Sequence, residues 1–241
     1  MYRDTGMGLA LTLATLAALV GCSSDPPMAT PTPDMPESEE LRDQVVEALR
    51  GLSSVRFSIT HEDEDVGTDM GGGITLNAAE GTASFPDRAE LTADTTLEEY
   101  GLSLAMEIVQ IAEQTYLRDP ISGVWRTVEP GALPFDFVGM HESVADALDA
   151  ATDLTLEDGG EVDGVPTFRL TGMVLPQDFR GLVPGAPEGD AIPAEAWVGR
   201  HDALTRQVRL AGKLIEADPP TMVRLLHLSG FDEPVTIEPP I

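Results

Sequence analysis

Cysteine and positively charged side chains are scarce in this sequence. Its 241 residues include one Cys and four His, too few for a disulfide framework or a Cys-based zinc cluster. Lys and Arg total 14 against 42 Asp and Glu, which gives a formal net charge of -28. A chain this acidic has no basic surface to neutralise phosphates, so nucleic-acid binding is excluded, and no polybasic segment to hold anionic lipids. Any membrane attachment must come from an apolar segment or a covalent lipid.

The single Cys follows an apolar run near the start of the chain. The residues from Leu9 to Val20 are almost all apolar. A run of this length is typical of a signal-peptide core and is too short for a stable membrane-spanning helix. It ends in Leu-Val-Gly-Cys, the pattern of a bacterial lipobox, in which Cys22 receives a diacylglyceryl group and becomes the mature N-terminus. We therefore predict a signal peptide over residues 1–21 and lipid attachment at Cys22. The alternative is a chance Cys after an ordinary signal peptide.

Residues 22–37 are rich in Pro, Ser and Thr and have almost no large apolar side chain. Such a segment cannot form a core and is predicted to be an extended tether. The folded part then begins near Ser38 and has no second Pro-rich linker. We expect one domain over residues 38–241.

Two amphipathic helices are predicted. Ser38 is placed as the N-cap of the first, whose apolar positions recur at helical spacing up to Gly51. The second presents Val144, Ala147, Leu148 and Ala151 on one face. Before it lies an apolar loop, residues 135–140, which is either a mobile lip at a cavity mouth or a cluster that caps the helix.

Alternating apolar residues predict many antiparallel strands. They cover residues 55–60, a meander between Gly71 and Val128, and then 165–174, 194–199, 205–215, 222–229 and a short last element at 235–238. One or two helical turns are predicted at 176–183, with Phe179 and Leu182 facing inward. This order indicates an α+β fold built on a large antiparallel sheet.

Sequence motifs of enzymes are absent. The chain has no Gly-x-Ser-x-Gly, no His-Glu-x-x-His, no Walker loop and no dinucleotide-type glycine pattern. The acidic run from His61 to Asp65 either binds a hard cation such as calcium or, as we favour, is a solvated loop, because it lacks the spacing of an EF-hand. We predict no enzymatic activity, no cofactor and no metal.

Several segments, in this order, resemble the LppX/LprAFG lipoprotein family of mycobacteria and related actinobacteria. They are the lipobox, Leu52–Phe57, the 114–125 hairpin, Gly160–Val165, Ile192–Val198, Gln207–Leu210 and Leu228–Ile237. The use of Arg in place of Lys, with Lys213 as the one Lys, and the abundance of Ala, Gly and Pro also fit a high-GC actinobacterial genome.

The resemblance implies a strongly bent antiparallel half-barrel with helices on its concave side. Between them an apolar cavity would hold acyl chains of diacylated or triacylated envelope lipids or glycolipids. Family members are thought to carry such lipids from the plasma membrane outward, some beside an export pump. We expect a monomer, lipid-anchored on the extracytoplasmic face of the cell membrane.

Apolar stripes on the predicted strands and helices supply the candidate ligand-binding residues. These are Ala83, Phe85, Leu102, Leu104, Met106, Ile108, Phe137, Val144, Leu148 and Phe179. The same stripes suit an ordinary filled core, so two alternatives stay open: a structural or interaction lipoprotein, and an accessory enzyme with a polar cleft.

Overall fold

The computed structural model of the protein describes residues 35–63, 65–129 and 131–241. The predicted signal peptide, Cys22 and nearly all of the predicted tether lie outside these residues. The helices are α1 (Ser38–Arg50) and α2 (Met140–Asp149), and a 3-10 turn spans Pro176–Phe179. The twelve strands are β1 (Ser54–His61), β2 (Thr68–Asp69), β3 (Ile74–Ser84), β4 (Arg88–Leu97), β5 (Leu102–Ile111), β6 (Gln114–Arg118), β7 (Trp125–Val128), β8 (Thr152–Val162), β9 (Val165–Val174), β10 (Ile192–Gly199), β11 (Thr205–Ala211) and β12 (Val223–Ser229).

The first helix follows from its sequence pattern. Its buried residues Leu41, Val45, Val46 and Leu49 recur at spacings of three and four, which places them on one face. Glu39 and Glu40 in the first turn and Arg50 in the last complement the helix dipole. The predicted N-cap is wrong by one residue: Glu37 occupies that position, and the Ser38 hydroxyl donates to the Glu39 carboxylate at 2.8 Å.

All strands join one open antiparallel sheet in the order β7-β6-β5-β4-β3-β1-β12-β11-β10-β9-β8, with β2 paired to β3. Strand β1 lies in the middle, between the predicted meander β3–β7 on one side and β8–β12 on the other. The α+β prediction is thereby confirmed.

Three details of the strand prediction are wrong. Strand β8 was not predicted, because most of its residues are exposed and alternation is weak in Thr152–Val162. Residues 235–238 form no strand. Within the predicted meander, alternation at even positions up to Leu76 and at odd positions from Gly81 indicates two strands, whereas β3 is continuous. A register shift between Leu76 and Ala78 moves its buried side chains from even to odd positions.

One face of the sheet is apolar along its whole width. A single row of cross-strand partners crosses nine strands without a polar side chain: Leu156, Leu170, Ala196, Val208, Leu226, Ile59, Ala79, Ala93 and Met106. Helices α1 and α2 contact each other over this face, α1 through Leu41, Val45 and Leu49, and α2 through Ala145. Among the described residues, neither helix has the length and apolarity needed to cross a bilayer.

The apolar loop before α2 is part of the core rather than a lip. Phe137 is 2% exposed and stacks on Phe57 of β1, with ring centroids 5.1 Å apart. The side-chain amide of Gln110 on β5 fixes the loop by accepting a bond from the Phe137 N–H at 2.9 Å and donating to the Phe135 carbonyl at 3.4 Å. Of the two interpretations offered by the sequence, the structure supports the buried cluster.

Candidate functional site

An apolar cavity lies between the helices and the strands β8–β11. Side chains of α1, α2 and the 3-10 turn form one wall, and those of the four strands form the other. Its apolar lining consists of Leu49, Val144, Ala147, Leu148, Ala151, Leu154, Leu170, Val174, Phe179, Ala194, Ala196, Val208 and Leu210. Thr171, Thr205 and Glu195 are the polar side chains in the lining. Its chemistry suits a hydrocarbon chain, since few groups there can form hydrogen bonds.

The cavity is narrow. Its volume is about 40 Å³, well under the roughly 300 Å³ at which ligand pockets begin. Apolar contacts hold the wall in place: among the described residues, no hydrogen bond or ion pair joins α1 or α2 to a strand. The two helices are instead linked to each other, by Arg50 and Asp146 at 2.8 Å. The contact between the two helices and strands β8–β11 is therefore entirely apolar.

The other half of the apolar face is filled. Phe135, Phe137, Met140 and Leu182 pack on β1, β3, β4 and β5 and occupy the space that the cavity has on the β8–β11 side. A void of about 10 Å³ remains there, at the lower limit for a single water molecule. The sheet thus carries a solid core on one half and a narrow apolar slit on the other.

The chain matches a known protein family over nearly all of its described residues. The model of the LppX_LprAFG lipoprotein family matches residues 37–237. The chain belongs to this family.

Individual relatives agree with this assignment. The lipoarabinomannan carrier protein LprG of Mycolicibacterium hassiacum is 25% identical over 241 residues, covering 96% of each chain. The crystal structure of LprF from Mycobacterium bovis superposes with a TM-score of 0.64 at 16% identity, over 86% of this chain and 98% of that one. Lipoprotein LppX of Mycobacterium tuberculosis superposes with a TM-score of 0.55 at 18% identity, over 83% and 98%. These structures share the fold, and the LppX_LprAFG family is one of lipid-carrier lipoproteins and not of enzymes.

Three of the residues chosen from the sequence line the cavity of this family member: Val144, Leu148 and Phe179. Ile108 and Phe137 border the small void, while Ala83, Phe85 and Met106 belong to the filled core. On β5, Met106 and Ile108 are buried and point inward. Ligand binding by the three lining residues stays a prediction.

The choice of Leu102 and Leu104 needs correction. Leu102 is 52% exposed and Leu104 is partly exposed, because the start of β5 extends beyond the elements that cover the sheet. Neither residue lines a described cavity.

The residues missed by sequence reasoning lie on β8 to β11. Leu154, Ala194, Ala196 and Leu210 line the cavity, whereas the candidates from the sequence were drawn from β3, β5 and the helices. Small or apolar residues alternate with larger ones in Ala194-Glu195-Ala196-Trp197-Val198, and this pattern indicates that Ala194, Ala196 and Val198 share one face of the strand. Alternation alone does not say which half of an inward face is covered by a solid layer.

The acidic segment after β1 forms contacts within the protein. Glu62 forms an ion pair with Arg209 of β11, which lowers the pKa of the Glu62 carboxyl. Within the described residues, no group of three or more His, Cys, Asp or Glu side chains is arranged to hold a metal ion.

Proposed function

We propose that this protein is a lipid-anchored carrier that holds acyl chains of envelope lipids or glycolipids between the helix layer and strands β8–β11. The observation that carries the proposal is the apolar slit there, whose helical wall makes no polar bond to the sheet. An entering chain widens the slit by displacing α1 and α2 together, because the apolar faces of the two helices pack against each other. The apolar side chains that separate when the slit widens pack against the acyl chain instead, so they stay out of water.

The relatives support the same function. One homologue is named a lipoarabinomannan carrier protein, and it covers nearly the whole chain. By this likeness, we propose transport outward from the plasma membrane by a monomer, with an envelope lipid or glycolipid as cargo and a membrane export pump as a partner.

The test is native mass spectrometry of the soluble domain, residues 38–241, purified from its own host. We expect bound lipid in the wild type and little in Ala194→Trp, whose indole would fill the slit. Ala196→Phe serves as a second blocking variant should the first fail to fold. Ala105→Trp is the matched control, because Ala105 lies exposed on β5 and an added ring there faces solvent.

Absence of lipid from the wild type would favour the structural lipoprotein with a filled core. Equal lipid loading in Ala194→Trp, Ala196→Phe and the control would place the ligand elsewhere.

The anchor is a second part of the proposal. Cys22, outside the described residues, is the one thiol of the chain and so the one acceptor for a diacylglyceryl group. Two acyl chains hold a protein stably on a membrane where one is marginal. The Cys22→Ala protein should therefore leave the membrane fraction at high salt, while wild type stays; retention of both would refute the anchor.

A further inference from the structure

An open depression lies on the face of the sheet opposite the helices. Its volume is about 530 Å³, and it is separated from the acyl-chain slit by the sheet itself. Two rows of cross-strand partners form its walls, and the backbone of Gly81 and Leu91 lies between them. We call it the outer groove.

The rows run perpendicular to the strands. One row consists of His227, Ser58, Glu80, Thr92 and Glu107 and continues to Trp125; the other consists of Ser229, Arg56, Thr82, Glu90 and Val109. At ~4.8 Å per strand spacing the seven strands span about 29 Å, and alternate residues along a strand stand about 7 Å apart. The outer groove therefore has the dimensions of a site for one extended chain.

Hydroxyl and carboxylate groups alternate along this groove. Thr82 faces Glu90 and Thr92 faces Glu80 across neighbouring strands. Arg56 pairs with Glu233, Arg118 with Glu107, and His227 with Asp163 at 2.6 Å. Glu80 and Glu90 form no ion pair with a described residue, which leaves their oxygens available as acceptors for a ligand.

Trp125 closes one end of the outer groove. It is partly buried and lies on β7, the edge strand of the sheet. An indole combines a broad apolar face with a polar N–H. Such a face packs well against the C–H surface of a sugar ring.

The chemistry of the outer groove excludes several ligand classes. Its carboxylates repel anions, its polar walls do not suit acyl chains, and the described residues offer no metal-binding group. Arg56 and Arg118 are neutralised by their partners Glu233 and Glu107. The carboxylates of Glu80 and Glu90 remain uncompensated, next to hydroxyls and one indole. This set matches a neutral ligand with many hydroxyl groups, which donate to carboxylates in strong hydrogen bonds.

We propose that the outer groove binds a neutral oligosaccharide chain, with Trp125 stacking on one sugar ring and Glu80 and Glu90 accepting hydrogen bonds from sugar hydroxyls. This goes beyond the proposed acyl-chain function, because the groove and the slit lie on opposite faces of the sheet. Either site can therefore fail its test without affecting the other.

The test is titration of the delipidated domain with three probes: linear hexasaccharides of glucose, mannose and N-acetylglucosamine. Trp197→Phe removes the second tryptophan, so that fluorescence reports Trp125 alone. We expect saturable quenching by at least one probe in the millimolar range or below. Calorimetry should show at least a tenfold loss of affinity in Trp125→Ala and in the Glu80→Gln/Glu90→Gln variant.

The matched control is Trp197→Ala, which removes the other tryptophan from the same face, outside the groove, and should leave the affinity unchanged. Binding should also persist in Ala194→Trp, whose acyl-chain slit is filled. The proposal is overturned if no probe binds up to 10 mM, or if Trp125→Ala binds as the wild type does. Binding of hexalysine in place of every saccharide, abolished by Glu80→Gln/Glu90→Gln, would reassign the groove to a basic peptide.

Discussion

At the scale of single residues, the most constrained group is a buried polar cluster where β1, β2 and β12 meet. Arg224 is 6% exposed and Asp218 3%; they pair at 2.6 Å. Asp218 also accepts the backbone N–H groups of Leu214 and Ile215, and Arg224 donates to the Thr68 hydroxyl. The cluster fixes the 212–222 connection against the sheet, although sequence alone shows only isolated charged residues.

Removing one charge of this cluster should be costly. Asp218→Asn leaves the Arg224 guanidinium buried without a counter-charge, and we expect a loss of ~3–5 kcal/mol in the free energy of unfolding. The control is Glu62→Gln at the exposed pair with Arg209, with an expected loss of ~0–1 kcal/mol. Urea unfolding measures both, and equal losses would contradict the prediction.

His141 should make stability depend on pH. Its ring lies 3.7 Å from that of Phe85, its Nδ1 atom is buried without a described partner, and burial lowers its pKa. The unfolded chain takes up this proton below about pH 6.5, whereas the folded protein resists it. The contribution is therefore fully present above the unfolded pKa and is lost as the pH falls below it.

The expected result is a smaller fall in unfolding free energy between pH 7.5 and 5.5 for His141→Leu than for wild type. Burial also lowers the pKa of His61, so His61 contributes a pH dependence of the same sign. A variant in which both histidines are replaced should therefore show a still smaller change of unfolding free energy with pH. Urea unfolding at both pH values measures the slopes, and identical slopes would contradict the prediction.

At the scale of elements, the connection between β7 and α2 acts as an extra layer on the sheet. Phe137 is the centre of this layer, stacked on Phe57 and held by Gln110. Phe137→Ala should cost ~3–5 kcal/mol through cavity formation. Tyr100→Ala, at a residue 63% exposed, should change unfolding free energy by less than ~0.5 kcal/mol; similar effects of both would mean that the loop is mobile.

Elements with clean alternation or helical spacing could be predicted from the sequence: α1, α2, β1, β4, β5 and β9 appear where the patterns place them. Strand β8 could not, because an edge strand with an exposed surface lacks a strong pattern. The cavity lining was predicted only for Val144, Leu148 and Phe179. Whether an apolar stripe meets a solid layer, as at Ile108, or a slit, as at Leu148, depends on contacts between elements distant in sequence.

At the scale of the whole molecule, charge is the least balanced property. The 14 basic residues compensate one third of the 42 acidic ones, and most described Arg side chains already lie in ion pairs. Folding brings the remaining carboxylates closer together than they are in the unfolded chain, and their repulsion opposes the compact state.

Salt should therefore stabilise the protein. The screening length falls from ~10 Å at 0.1 M to ~3 Å at 1 M, which weakens repulsion between distant carboxylates more than attraction within contacting ion pairs. We expect the melting temperature to rise between low salt and ~1 M NaCl, and equally in KCl because screening does not distinguish the two cations.

Salt also strengthens apolar burial in some cases, so a variant with less charge is needed as the control. Glu99→Gln/Glu113→Gln/Glu161→Gln removes three exposed carboxylates without a described ion pair, and it should melt higher at low salt and gain less from added salt. A flat or falling melting temperature in the wild type would show that self-repulsion does not limit its stability, and an equal gain in the variant would assign the effect to apolar burial instead.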